Sequence, residues 1–110
     1  MNYINLTPHD VTVIFPDGTT RVFLRGGNGG VVPRVGECEP ADYGELDGIP
    51  RRGVRYGEVK DVPALEAGTF LIVSQMVATR LPSRLDLLFP TDLVRDDVGR
   101  VIGCRAWGQI

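Results

Sequence analysis

A chain of 110 residues has room for one domain and not comfortably for two. With Gly 14 and Pro 8, 43% hydrophobic and 24% charged residues, it is an ordinary folded composition rich in turn formers, which excludes disorder. A net charge of −2, from 12 basic and 14 acidic residues, argues against a nucleic-acid duplex as main partner, because such proteins carry a basic excess to neutralise phosphates.

Strands are predicted over residues 2–6 and 10–15, interrupted at Thr7-Pro8. Pro16-Asp17-Gly18 signals a tight hairpin, since Asp-Gly accepts positive φ angles, and residues 19–24 return as its partner strand. The tract Gly26-Gly27-Asn28-Gly29-Gly30 reads as a mobile loop tip and the variable rim of a site. It is no phosphate loop, because no Gly-Lys-Ser/Thr follows. Residues 31–35 form a short edge strand around Pro33. Residues 43–46, the turn Asp47-Gly48 and residues 49–59 form a second hairpin, with Pro50 and Gly53 bending its far arm. Residues 69–73 are the most apolar run and read as a buried central strand. A helix follows over about residues 75–81, capped by Ser74 and ended by Pro82. Strands at 85–89, 93–95 and 100–107 complete the chain, the last two joined by a turn at residues 96–99.

Together these elements predict a single domain over residues 1–110. Its class is mainly β, a compact barrel or rolled antiparallel sheet with one short helix. The expected core is Ile4, Val13, Phe23, Val35, Phe70, Ile72, Val77, Leu87 and Ile102. The first ten residues show no basic region followed by an apolar one, and no apolar run reaches 18 residues, so the expectation is a cytoplasmic protein that does not engage a membrane. Cys38 and Cys104 then read as reduced thiols. With one imidazole and two scattered cysteines, neither a metal nor any other cofactor is expected.

Catalysis finds little support. Ser74 lies at a strand-to-helix junction, but the glycines of a nucleophile elbow are missing around it. His9 reads first as a structural or capping group, then as a ligand contact, and last as a base. The carboxylate pairs Asp96-Asp97 and Glu37-Glu39 read as solvated turn residues. Anion binding has more support, because arginine forks suit carboxylate and phosphate, and eleven of the 12 basic residues are Arg. The codon bias of a GC-rich genome is the plainer reading of that excess, and both can be true. Arg51, Arg52 and Arg55 cluster beside Tyr56, which offers a stacking face.

The opening Asn5-Leu6-Thr7-Pro8-His9 resembles that of a family of small, mostly uncharacterised proteins of tailed phages and prophages. The likeness continues at Arg55-Tyr56-Gly57-Glu58-Val59, through residues 68–74 with Val77-Ala78, at the Arg84-Leu85-Asp86 step, and at residues 94–96 and 99–104. The glycine tract, Pro33-Arg34-Val35 and the ending Ala106-Trp107-Gly108 depart from the family pattern. The resemblance implies a phage accessory protein of an infected or lysogenic host. Small proteins of that kind commonly counter host defence, some as oligomeric sponges that sequester a small anionic nucleotide signal. The expected contacts for such a ligand are Thr7, His9, Ser74, Arg80, Arg84 and Arg95. The alternatives are a structural or protein-binding accessory protein, for which residues 31–35 and Ala106-Trp107 offer an edge and a patch, and a hydrolase of the same signal.

Overall fold

The computed structural model describes residues 1–110 except Cys38, Glu39, Pro40 and Arg55; of Glu37 and Tyr56 only the backbone is described. The expectations of a reduced thiol at Cys38, a solvated pair at Glu37-Glu39 and a cluster of Arg55 with Tyr56 therefore lie outside the described residues. Among the described residues, ten strands and one α-helix run in the order β1 (Asn2–Asn5), β2 (Val11–Ile14), β3 (Thr20–Phe23), β4 (Arg34–Glu37), β5 (Ala41–Leu46), β6 (Ile49–Gly53), β7 (Tyr56–Lys60), β8 (Thr69–Ile72), α1 (Gln75–Arg80), β9 (Leu87–Arg95) and β10 (Val101–Gly108). The protein is mainly β. Six strands, ordered β1-β8-β9-β10-β2-β3, make one sheet curled into a nearly closed barrel.

The hairpins follow from their turn residues. Phe15 N–H bonds to the Thr19 carbonyl at 2.8 Å and Gly18 N–H to the Phe15 carbonyl at 2.9 Å, a three-residue loop with Gly18 at φ 87°. Asp96 and Arg100 repeat that pattern between β9 and β10, with Gly99 at φ 83°. Between β5 and β6 the turn is a two-residue one, Asp47 and Gly48 both lying at positive φ (53° and 78°).

The sheet is mixed, not antiparallel throughout. β1 with β8, β8 with β9, and β10 with β2 pair in parallel. For β8 and β9 the physical reason is α1, which lifts the chain off the end of β8 and returns it beside β8 in the same direction. β8 thus has a neighbour on each side, and both its faces are covered, as its unbroken apolar run requires. Leu71 and Val73 enter a cluster with Leu6, Val77, Ala78, Leu87 and Phe89 under the helix. Ile72, fully buried, faces Val11, Val13 and Cys104 inside the barrel.

Of the expected core, Val13, Ile72, Val77 and Leu87 are buried, and Ile4, Phe23, Val35 and Phe70 are half-buried. Ile102 is 52% exposed. A bulge between Val101 and Gly103 shifts the register of β10, which turns Ile102 out and Cys104 in. The strands expected at 85–89 and 93–95 are one strand, β9, running through Pro90. Beyond Leu88 the strand has no β8 partner, so a residue without an N–H sits on an open side.

The barrel seam lies between β1 and β3, and Asn5 ties it. Its Nδ2 donates to the Phe23 carbonyl and to the His9 carbonyl, both at 2.8 Å. Its Oδ1 accepts from the Thr7 N–H at 2.9 Å and the Thr7 hydroxyl at 2.7 Å. Only 3% of Asn5 is exposed, so every hydrogen-bonding position of a buried amide is used. A row of rings crosses the same seam: Tyr3 stacks on Phe70 at 5.9 Å and meets Phe23 edge-on at 5.3 Å, and Phe23 meets Trp107 at 5.3 Å. Arg21 lies 4.5 Å over the Phe23 ring.

The glycine tract is a short 3-10 turn, Gly27–Gly30, held against β1. Gly26, Asn28, Gly29 and Gly30 all have positive φ, and a Cβ on Gly27 would meet Ile4 and the Asn5 carbonyl. The tract is needed where it is because it lets the chain press on the strand that closes the barrel.

Candidate functional site

A cleft of about 580 Å³ opens on the barrel surface beside the seam loop. One wall is the segment from Thr7 to Thr12, placed by the Asn5 hydrogen bonds. The rest of the lining comes from Val73, Ser74 and Cys104 and from Pro90, Leu93, Val101, Ile102 and Gly103 of β9 and β10. The β10 bulge that expels Ile102 from the core is what gives the cleft its aliphatic side. Leu93, Val101 and Ile102 are each about half exposed here, at 45%, 50% and 52%. A volume and lining of this kind accept a small molecule with a flat apolar face.

Polar groups sit at the rim. The His9 ring is exposed and, among the described residues, has no hydrogen-bond partner. The Thr7 hydroxyl shares its one proton between Asn5 Oδ1 and the His9 carbonyl, 2.9 Å away, so it braces the loop. Ser74 Oγ accepts from Val77 N–H at 3.3 Å as the helix cap. Asp10 accepts from Arg25 N–H at 2.9 Å through Oδ1. Among the described residues lining the cleft there is no Lys or Arg. Cys104 is 1% exposed, and burial pushes its thiol above the ordinary range, which keeps it protonated and a poor nucleophile.

The structure brings Thr7, His9 and Ser74 to one cleft and sends Arg80, Arg84 and Arg95 elsewhere. Arg84 grips Asp86 with two bonds of 2.8 Å and donates to the Pro63 carbonyl at 2.9 Å. The Asp86 side chain is only 6% exposed, and the guanidinium hydrogen bond holds its carboxyl below the usual range. Arg95 bonds the Gly99 carbonyl at 2.8 Å and so belongs to the β9–β10 turn. Arg80 lines a separate hollow of about 720 Å³ with Gly57, Glu58, Val59, Thr79 and Leu81. The glycine tract does not line the cleft. Val101, Leu93 and Ile102, the aliphatic wall, were not among the expected contacts. The signal that points to them is the run Val101-Ile102-Gly103 in a strand with too many apolar residues for strict alternation.

Among the described residues no three His, Cys, Asp or Glu side chains come together as a metal site, and no helix is long and apolar enough to cross a membrane. No protein-family model, curated protein or solved structure matches the chain.

Proposed function

We propose that this chain is a non-catalytic binding protein that sequesters a small nucleotide-derived molecule, acting as a homo-oligomeric phage accessory protein against a host defence signal in the cytoplasm of the host cell. The observation that carries the reading is the cleft itself: about 580 Å³, with the aliphatic Leu93, Val101 and Ile102 and the polar Thr7, His9 and Ser74 together in its lining. A base stacked on Leu93 and Ile102 meets His9 at its polar edge, while the anionic part of the ligand points outward, away from Asp10. The thiol of Cys104, 1% exposed and held protonated by burial, does not attack such a ligand.

Calorimetry against cyclic mononucleotides, cyclic dinucleotides and ADP-ribose derivatives tests this. One class is expected to bind, and His9→Ala or Leu93→Asp to weaken it about ten-fold, roughly 1.4 kcal/mol. Mass spectrometry after heat denaturation is expected to return the ligand intact. A hydrolysed ligand supports the hydrolase instead, and no heat with any member ends the reading. One observation favours the second reading, a protein-binding accessory protein: the uncovered β5–β6 hairpin. The expected edge at residues 31–35 is less free, since Arg34 and Val35 pair with Lys60 and Val59, and Trp107 is half-buried against Phe23.

A further inference from the structure

The β5–β6 hairpin stands away from the barrel. The radius of gyration is 17.0 Å and the longest extent 53 Å, against roughly 13 Å expected for the radius of a compact chain of this length. Every residue of both strands except Gly53 is exposed. A lone two-stranded ribbon is marginal in water, so a ribbon built like this one is built to be covered.

Its two faces differ. Asp42 lies opposite Arg52 and Glu45 opposite Pro50, and these four line one shallow polar depression on a single face. Leu46 lies opposite Ile49 on the other face, together with Tyr43, whose ring lies over the Gly53 backbone, and with Arg51, which alternation places between Ile49 and Gly53. The bulge between Asp42 and Glu45, with Gly44 at φ 77°, is what keeps Tyr43 and Leu46 on that same face. Tyr43, Leu46 and Ile49 are 57%, 60% and 68% exposed. Apart from Arg51, the face is apolar and the opposite one polar, and the apolar side faces solvent.

We infer that the apolar face of this hairpin is a two-fold assembly surface that packs on the same face of a second copy of the chain. Charge favours that occupant. Asp42, Glu45 and Asp47 stand beside Arg51 and Arg52, so the arm is close to neutral and attracts neither a polyanion nor a polycation, while two copies approach without net repulsion. Self-complementarity favours it too, because an isologous contact sets each apolar residue against another from the same patch. Area sets the strength. The packing face offers Ala41, Tyr43, Leu46, Ile49, Arg51 and Gly53, about a quarter of the roughly 20–30 residues a stable interface uses on each side, so the dimer is a weak, concentration-dependent one. The inference deepens the oligomer in the proposed function and is independent of the ligand, so the two fail separately.

Sedimentation velocity from about 5 to 300 µM is the test. The wild-type chain is expected to shift from its 12.0 kDa monomer toward a species of about twice that mass. Leu46→Glu and Ile49→Glu are expected to weaken association at least ten-fold, and Glu45→Lys on the polar face to leave it within two-fold. Should those changes unfold the arm, Ile49→Cys under mild oxidation reads proximity directly, and is expected to cross-link two copies where Glu45→Cys does not. A wild-type monomer at every concentration, dimers unchanged by both apolar-face variants, or equal cross-linking at the two positions overturns the inference.

Discussion

Asn5→Asp is expected to destabilise the fold by about 4 kcal/mol at neutral pH. The Asn5 amide donates to two carbonyls across the barrel seam, Phe23 and His9, and a carboxylate donates to neither. Each buried carbonyl left without its donor costs roughly 1–3 kcal/mol, and both then face an anion that is itself poorly solvated. Against a total stability of about 5–15 kcal/mol for a domain, the seam is the place where one atom exchange comes nearest to unfolding the chain. The pH dependence has a definite sign. The introduced carboxyl is driven above its unfolded pKa by burial among acceptors, so the penalty is smallest in acid and grows as pH rises through the raised value. Urea midpoints for both proteins at pH 4 and pH 7 check it. A variant as stable as wild type at pH 7 would mean that the seam does not depend on the Asn5 amide.

Arg84→Ala is expected to cost about 3 kcal/mol, because it leaves the carboxylate of Asp86, 6% exposed, buried without its partner. The wild-type pair contributes stability above the unfolded value of 3.8 and loses it as pH falls through the lowered folded value of Asp86. The deficit of the variant is therefore expected to shrink on acidification through that window. Thermal unfolding at pH 7 and at pH 3 measures both effects. If Arg84→Ala leaves stability untouched at both, the guanidinium is free for a ligand after all.

These two substitutions bear on what the sequence makes legible. Asn5-Leu6-Thr7-Pro8-His9 and Arg84-Leu85-Asp86 stand out as motifs, and Thr7, His9 and Arg84 within them are the expected ligand contacts. In the fold both motifs close the structure on itself: Asn5 and Thr7 staple the seam, Leu6 is buried at 1% exposure, and Arg84 is spent on Asp86. The spacing of Arg84 and Asp86 carries a usable hint, since residues i and i+2 of an extended chain share a face. The hairpin turns are readable because Asp-Gly states its backbone conformation locally, and the apolar run at residues 69–73 is readable as a strand covered on both faces.

What is not readable depends on partners distant in the chain. Nothing local says that β10 bulges at Ile102, exchanging Ile102 for Cys104 in the core and giving the cleft its wall. Nothing local says that Pro90 falls where β9 has already lost its β8 neighbour, so one strand continues where two were expected. The same distance effect separates the arginines: each has a carbonyl or carboxylate nearby that holds it, and no spacing rule gathers them at one site.

The proposed function stands on the cleft between the Thr7–Thr12 segment and β10, and not on the arginine-bearing surface, as the place where a small molecule is held. Amide NMR spectra of the labelled protein, titrated with each member of the nucleotide panel, distinguish the two. One ligand class is expected to shift the amides of residues 7–12, 73–74 and 101–104 together, with saturation at one ligand per chain. Shifts confined to residues 57–59 and 79–81, around Arg80, or an unperturbed cleft with every panel member, would contradict it.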